Sequence, residues 1–60
     1  MELPADNFIL LSLINTKLRD GYLSLSDLCD DEEIDVDYLT DCLAAAGYRY
    51  CEEENAFKSF

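Results

Sequence analysis

Two short apolar stripes flank an acidic run, and that arrangement narrows the folds open to this chain. Leu25, Leu28 and Cys29 recur at the spacing of one helix face, and Val36, Leu39, Leu43 and Ala46 do so again further on. Between them Asp30, Asp31, Glu32 and Glu33 crowd together, followed by Asp35 and Asp37. The stretch from Ser24 to Ala46 therefore outlines a helix-turn-helix, with the segments before and after it placed to cover it. The 60 residues make a single small domain, and a chain of this length buries only ~60% of the surface it exposes unfolded. Half of the residues are apolar, ten of them Leu, which excludes a disordered acidic tail. The core is thin, and dimerisation is one ordinary way to enlarge it.

Upstream of that frame, Pro4 keeps Leu3 extended, and Asp6 is placed to accept from the backbone N–H of Phe8 or Ile9. A first helix is predicted from Asn7 to about Asp20, stopped by Gly21 in the left-handed conformation. Phe8, Leu11, Ile14 and Leu18 make its inward stripe, widened by Leu10. Ile9 and Leu13 lie toward the opposite face and form a candidate contact surface, most simply for a second copy of the chain. Lys17 and Arg19 suit the negative end of the helix dipole, and they are candidate charge partners for the acidic run.

Ser24, with Asp27 three residues on, resembles a capping box and opens a second helix from Leu25 to about Asp31. Four acids at its C-terminal end oppose the helix dipole. The helix must end early, be fully solvated, or have Lys17, Arg19 or Arg49 nearby. Asp35 caps a third helix from Val36 to about Ala46, with Asp37 in its favourable first turn and Tyr38 and Cys42 at its flanks. Gly47 closes that helix, and Tyr48 can fold back on Leu43. From Tyr48 to Phe60 the period changes to alternation. This predicts a β-hairpin whose turn, Glu52 to Asn55, ends on a residue able to take positive φ. The fold class is mainly α: three short helices with a helix-turn-helix-like core and a small C-terminal hairpin, in the element order of a winged helix.

Several chemistries are disfavoured. There is no His, and Cys29, Cys42 and Cys51 are an odd number without a close pair, unlike a disulfide framework or a zinc site. Asp31, Glu33, Asp35 and Asp37 alternate as in a calcium loop. Counted from Asp31, however, the places that need Gly and Glu hold Val36 and Cys42. Gly21 and Gly47 do not make a phosphate loop, and no nucleophile has a positioned base. No catalytic residue, metal or cofactor is expected. The net charge of −10 repels phosphate backbones and anionic lipids and favours basic partners. The third helix carries Asp37, Thr40 and Asp41 outward with no Lys or Arg, and the hairpin turn holds Glu52, Glu53 and Glu54. DNA binding through this frame needs positive charge from a partner. No apolar run is long enough to span a bilayer. Met1-Glu2-Leu3-Pro4 lacks a basic leader, so a cytoplasmic location is expected.

Leu3-Pro4, Leu10-Leu11-Ser12 and Asn15-Thr16-Lys17-Leu18-Arg19-Asp20 resemble the first half of the short bacterial proteins grouped as domain of unknown function 4250. Leu25 with Leu28-Cys29, Asp35-Val36-Asp37, Leu39, Leu43, Gly47-Tyr48-Arg49-Tyr50 and Phe57-Lys58 resemble the second half. The Asn-x-Lys-Leu-Arg-Asp string and the Gly-Tyr-x-Tyr ending are the more specific parts. The resemblance implies a small stand-alone bacterial protein, and no site is carried over with it. The leading expectation is a non-enzymatic protein–protein interaction module that self-associates through Ile9 and Leu13. The alternative is an acidic surface of Asp30, Asp31, Glu32, Glu33, Asp37 and Asp41 that mimics nucleic acid or docks on a basic protein. A divergent DNA-binding protein is the third reading.

Overall fold

The computed structural model describes residues 3–60. In chain order it contains α1 (Asn7–Gly21), α2 (Leu25–Glu32), α3 (Val36–Ala45), β1 (Tyr48–Cys51) and β2 (Ala56–Ser59). The strands form an antiparallel hairpin, with Tyr48 opposite Ser59, Arg49 opposite Lys58, Tyr50 opposite Phe57 and Cys51 opposite Ala56.

Every helix begins where a short acceptor side chain captures free backbone N–H groups. Asp6 accepts from Phe8 at 2.8 Å and Ile9 at 3.3 Å. Ser24 accepts from Asp27 at 3.2 Å. Asp35 accepts from Asp37 at 2.9 Å and Tyr38 at 3.3 Å. Such caps contribute about 1 kcal/mol each.

The helix ends are less regular. Gly21 is the last residue of α1 rather than a left-handed stop, and Tyr22 leaves the helix in extended conformation at φ −132°. The terminal carbonyls are capped from a distance: Asn55 Nδ2 donates to the carbonyls of Leu18 at 3.2 Å and Tyr22 at 2.9 Å. In α2 the left-handed position falls on Glu33, at φ 57°, where an L side chain costs roughly 1–2 kcal/mol. Ile34 N–H then reaches back to the Cys29 carbonyl at 2.9 Å, and the Ile34 side chain enters the core. Helix α3 stops one residue before Ala46, which caps it, and Gly47 follows at φ 91° as expected.

The core comprises Leu10, Ile14, Leu18, Leu25, Leu28, Cys29, Ile34, Leu39, Leu43 and Phe57. Of the residues expected inside, Leu11 and Ala46 are half-buried, and Phe8 and Val36 are exposed. Phe8 is 66% exposed: two positions before Leu10, it sits roughly 160° round the helix from that buried residue. Its ring instead meets Tyr48 edge-on, with centroids 6.4 Å apart. Val36 is also exposed, since Ile34 fills that end of the core. Thr40, expected outside, is half-buried and returns its hydroxyl to the Val36 carbonyl at 2.9 Å.

Asn15 fixes the hairpin against α1. Its Oδ1 accepts from Phe57 N–H at 2.7 Å, and its Nδ2 donates to the Phe57 carbonyl at 3.2 Å. A side-chain amide thus occupies the place of a third strand. Asn55, at φ 51°, supplies the second tie, and the Tyr50 hydroxyl donates to its Oδ1 at 2.6 Å while accepting from Leu25 N–H at 3.3 Å.

Candidate interaction surface

Short helices joined by a tight turn concentrate the acids on α2, the turn after it and α3. From Asp20 to Asp41 the sequence holds nine Asp and Glu and no Lys or Arg. Asp30, Asp31, Glu33, Asp37 and Asp41 are exposed, and Glu32 is half-buried. The structure divides this set. Asp30 and Glu33 share an open groove with Asp27 and Asp35, floored by Cys29 and Ile34. Asp31 and Glu32 turn toward α1. Asp37 and Asp41 stand one turn apart on α3, outside that groove. Asp27 and Asp35, which stand in the first turn of α2 and at the cap of α3, line that groove as well.

The inward pair is held from α1 and its exit. Lys17 Nζ lies 3.3 Å from Glu32 Oε2, which offsets the unfavourable charge at the end of α2. The Tyr22 hydroxyl donates to Asp31 Oδ2 at 2.5 Å and to Glu32 Oε1 at 3.4 Å. Ionising that phenol would destroy the donor and set a third negative charge beside two carboxylates. Its pKa is accordingly pushed up to about 12, the hydrogen bond to Asp31 being the main cause.

Arg19 does not take the expected part. It pairs with its neighbour Asp20 at 3.0 Å in open solvent, holding that carboxyl below its usual range. Arg49 lies over the Phe60 ring, 5.7 Å from its centroid, away from the acidic run. Tyr22 is the partner the sequence reading missed. Its signal was a phenol in the short connection just before the acid-ended helix.

The apolar surface proposed on α1 is smaller than its sequence suggests. Ile9 is 58% exposed, whereas Leu13 is half-buried. Other large apolar side chains in solvent are scattered across the elements, Leu23 at 91% and Phe60 at 70% among them. The three cysteines are free; Cys29 is buried, and burial, followed by the nearby Asp35 charge, pushes its thiol pKa up. Among the described residues no three Cys, Asp or Glu side chains converge as a metal set would. No described helix is long and apolar enough to cross a membrane.

Fold and surface together define a small three-helix protein with a helix-turn-helix frame, a C-terminal hairpin and a strongly acidic stretch along α2 and α3. The chain matches the family described as domain of unknown function (DUF4250) over residues 4–57 and belongs to it. No curated relative and no solved structure matches the chain. The residues that carry the family resemblance have structural tasks here. Asn15 pairs with the Phe57 backbone, Lys17 meets Glu32, Tyr50 joins Leu25 to Asn55, and Gly47 turns the chain into the hairpin.

Proposed function

We propose that this protein is a non-enzymatic interaction module of the cytoplasm that offers its acidic side to a basic segment of another protein. The observation that carries this reading is the segregation of charge. From Asp20 to Asp41 nine acids lie without a base among them; from outside the run Arg19 pairs with Asp20 and Lys17 with Glu32. Asp30, Glu33 and Asp41 are exposed like charges without a base near them in the sequence, so a cationic partner would relieve their repulsion. A cleft that binds nucleic acid is one such partner, the carboxylates standing in for phosphates. The same charges oppose DNA docking through α3, whose exposed face carries Asp37 and Asp41 and no base. The three free thiols suit a reducing compartment.

Capture on the immobilised protein at about 50 mM and about 500 mM salt tests this reading, because the Debye length shrinks several-fold across that range. The expected result is retention of basic proteins at low salt and their release at high salt. Capture of non-basic proteins, indifferent to salt, contradicts it.

Self-association through α1 is a second reading, favoured by the exposure of Ile9 and by the absence of acids from Asn7 to Arg19. On this helix two such acidic chains can approach without strong repulsion. Light scattering on the wild type and on Ile9→Glu/Leu13→Glu decides it: a monomeric wild type with an unchanged profile in the variant removes the dimer.

A further inference from the structure

We propose that the outer edge of β1 is a strand-addition site for an extended peptide whose alternate positions, on the face toward the helices, carry apolar side chains and a Lys or Arg. The inference deepens the interaction reading above and rests on it, since it names the surface and the chemistry of the partner.

Strand parity supplies the first observation. Phe57 uses both its N–H and its C=O on Asn15, on the side of β2 away from β1. Tyr50 and Phe57 are therefore a non-hydrogen-bonded pair, and in such a pair the backbone groups of both residues point outward. Two residues along, Tyr48 opposite Ser59 repeats this, and the Phe60 N–H to Gly47 carbonyl bond at 3.1 Å confirms the alternation. The outer edge of β1 thus presents the N–H and C=O of Tyr48 and Tyr50, for which no partner exists among the described residues. The two edges of this hairpin are unequal: Asn15 occupies that of β2, and β1 is open. An open edge is a template for another strand.

The second observation is what lies beside that edge. A groove at the turn end of β1 is lined by Leu23, Leu25, Val36, Tyr50 and Glu52, and its hairpin residues come from the β1 side alone. Leu23 is 91% exposed and Val36 39%, so the groove offers apolar surface with nothing on it. A strand added at Tyr50 would send alternate side chains toward these residues, the pattern by which edge-binding peptides gain specificity. Charge selects the rest of the partner. Glu52 borders the groove at one end, and beyond Val36 it continues into the groove of Asp27, Asp30, Glu33 and Asp35. A second copy of this chain would bring its own net charge of −10 to that place, whereas a segment with apolar residues and a Lys or Arg two positions apart sets both on the groove face and keeps base off the outward face, where Arg49 stands opposite Lys58.

The test uses the full chain, a short peptide with Val, Val and Lys at alternate positions and Ser between them, and the same peptide with alternate backbone amides N-methylated. N-methylation removes strand pairing and leaves charge and side chains in place. The unmodified peptide is expected to slow hydrogen exchange at the Tyr48 and Tyr50 amides and to bind about tenfold more tightly than the methylated one, a difference of about 1.4 kcal/mol. Leu23→Ser, a change at a solvent-exposed position, is expected to weaken the unmodified peptide several-fold and leave the methylated one unaffected. Equal binding of both peptides, lost in high salt, overturns the edge site while leaving acidic docking intact. Failure of both to bind at low salt overturns the two readings together. Concentration-dependent protection of Tyr48 and Tyr50 without any peptide would assign the edge to a second copy and overturn the peptide as its occupant.

Discussion

On one flank of α1, Asn15 and Asn55 hold the hairpin through neutral amide hydrogen bonds that are half-buried and reach across more than thirty positions of chain. On the other flank, Lys17 and Tyr22 hold the end of α2 through charged contacts at the surface. The first junction satisfies backbone groups that nothing else reaches: the carbonyls at the end of α1 and both polar groups of Phe57. The second gathers two acids of a long run and leaves Asp30, Glu33, Asp37 and Asp41 exposed. Leaving a shielded donor or acceptor unmade costs more than losing an exposed ion pair. The fold therefore depends on its neutral flank more than on its acidic one.

Substitutions on the two flanks should separate accordingly. Asn55→Ala removes three hydrogen bonds and places a Cβ-bearing residue without a local amide at positive φ. A loss of about 3 kcal/mol in urea unfolding is expected, and a loss below that of Lys17→Met would invert the comparison. Asn15→Ala, which strands the N–H and C=O of Phe57, should cost about 2 kcal/mol and raise amide exchange along β2 first. Glu33→Gly acts in the opposite direction. It relieves the left-handed glutamate and removes a charge from the end of α2, so a gain of about 1 kcal/mol is expected by the same measurement. Lys17→Met, which breaks the pair with Glu32 and keeps the stem, should cost no more than about 1 kcal/mol.

The smallest effect lies in alkaline solution. The Tyr22 phenol has its folded pKa raised from 10.0 to about 12. Its contribution is thus fully present below pH 10 and is lost as the pH rises to about 12. Urea midpoints across this window should fall more steeply for the wild type than for Tyr22→Phe. Parallel slopes would show that the hydroxyl contact with Asp31 carries no stability.

Much of this architecture is legible in the sequence because its signals are local. Asp6, Ser24 and Asp35 each stand two or three positions before the N–H groups they accept from, and Gly47 and Asn55 mark positive φ. The departures come where a distant element decides. Gly21 invited a left-handed stop, but Asn55, far along the chain, caps α1 without one. Phe8 kept helical spacing with Leu11 yet lies outside the core, since Leu10 set the buried side. Ile34 belonged to no periodic stripe and is buried through the left-handed turn at Glu33, a residue that gives no hint of that conformation. In the candidate surface, the acids were plain from composition. Their division between Tyr22 and Lys17 on one side and open solvent on the other depends on how α1 and α2 pack. The open edge of β1 becomes visible only through the parity that Asn15 imposes on Phe57.

Thermal unfolding of Asp30→Asn/Glu33→Gln/Asp41→Asn beside the wild type, at low salt, tests most directly whether the acidic side is surplus to the fold. Relief of like-charge repulsion should raise the midpoint, and about 1 kcal/mol corresponds to roughly 4–8 °C in a domain of this size. The gain should shrink as salt screens the wild type. A lower midpoint in the variant would show that these carboxylates support the structure, and would contradict the assignment of this face to a partner.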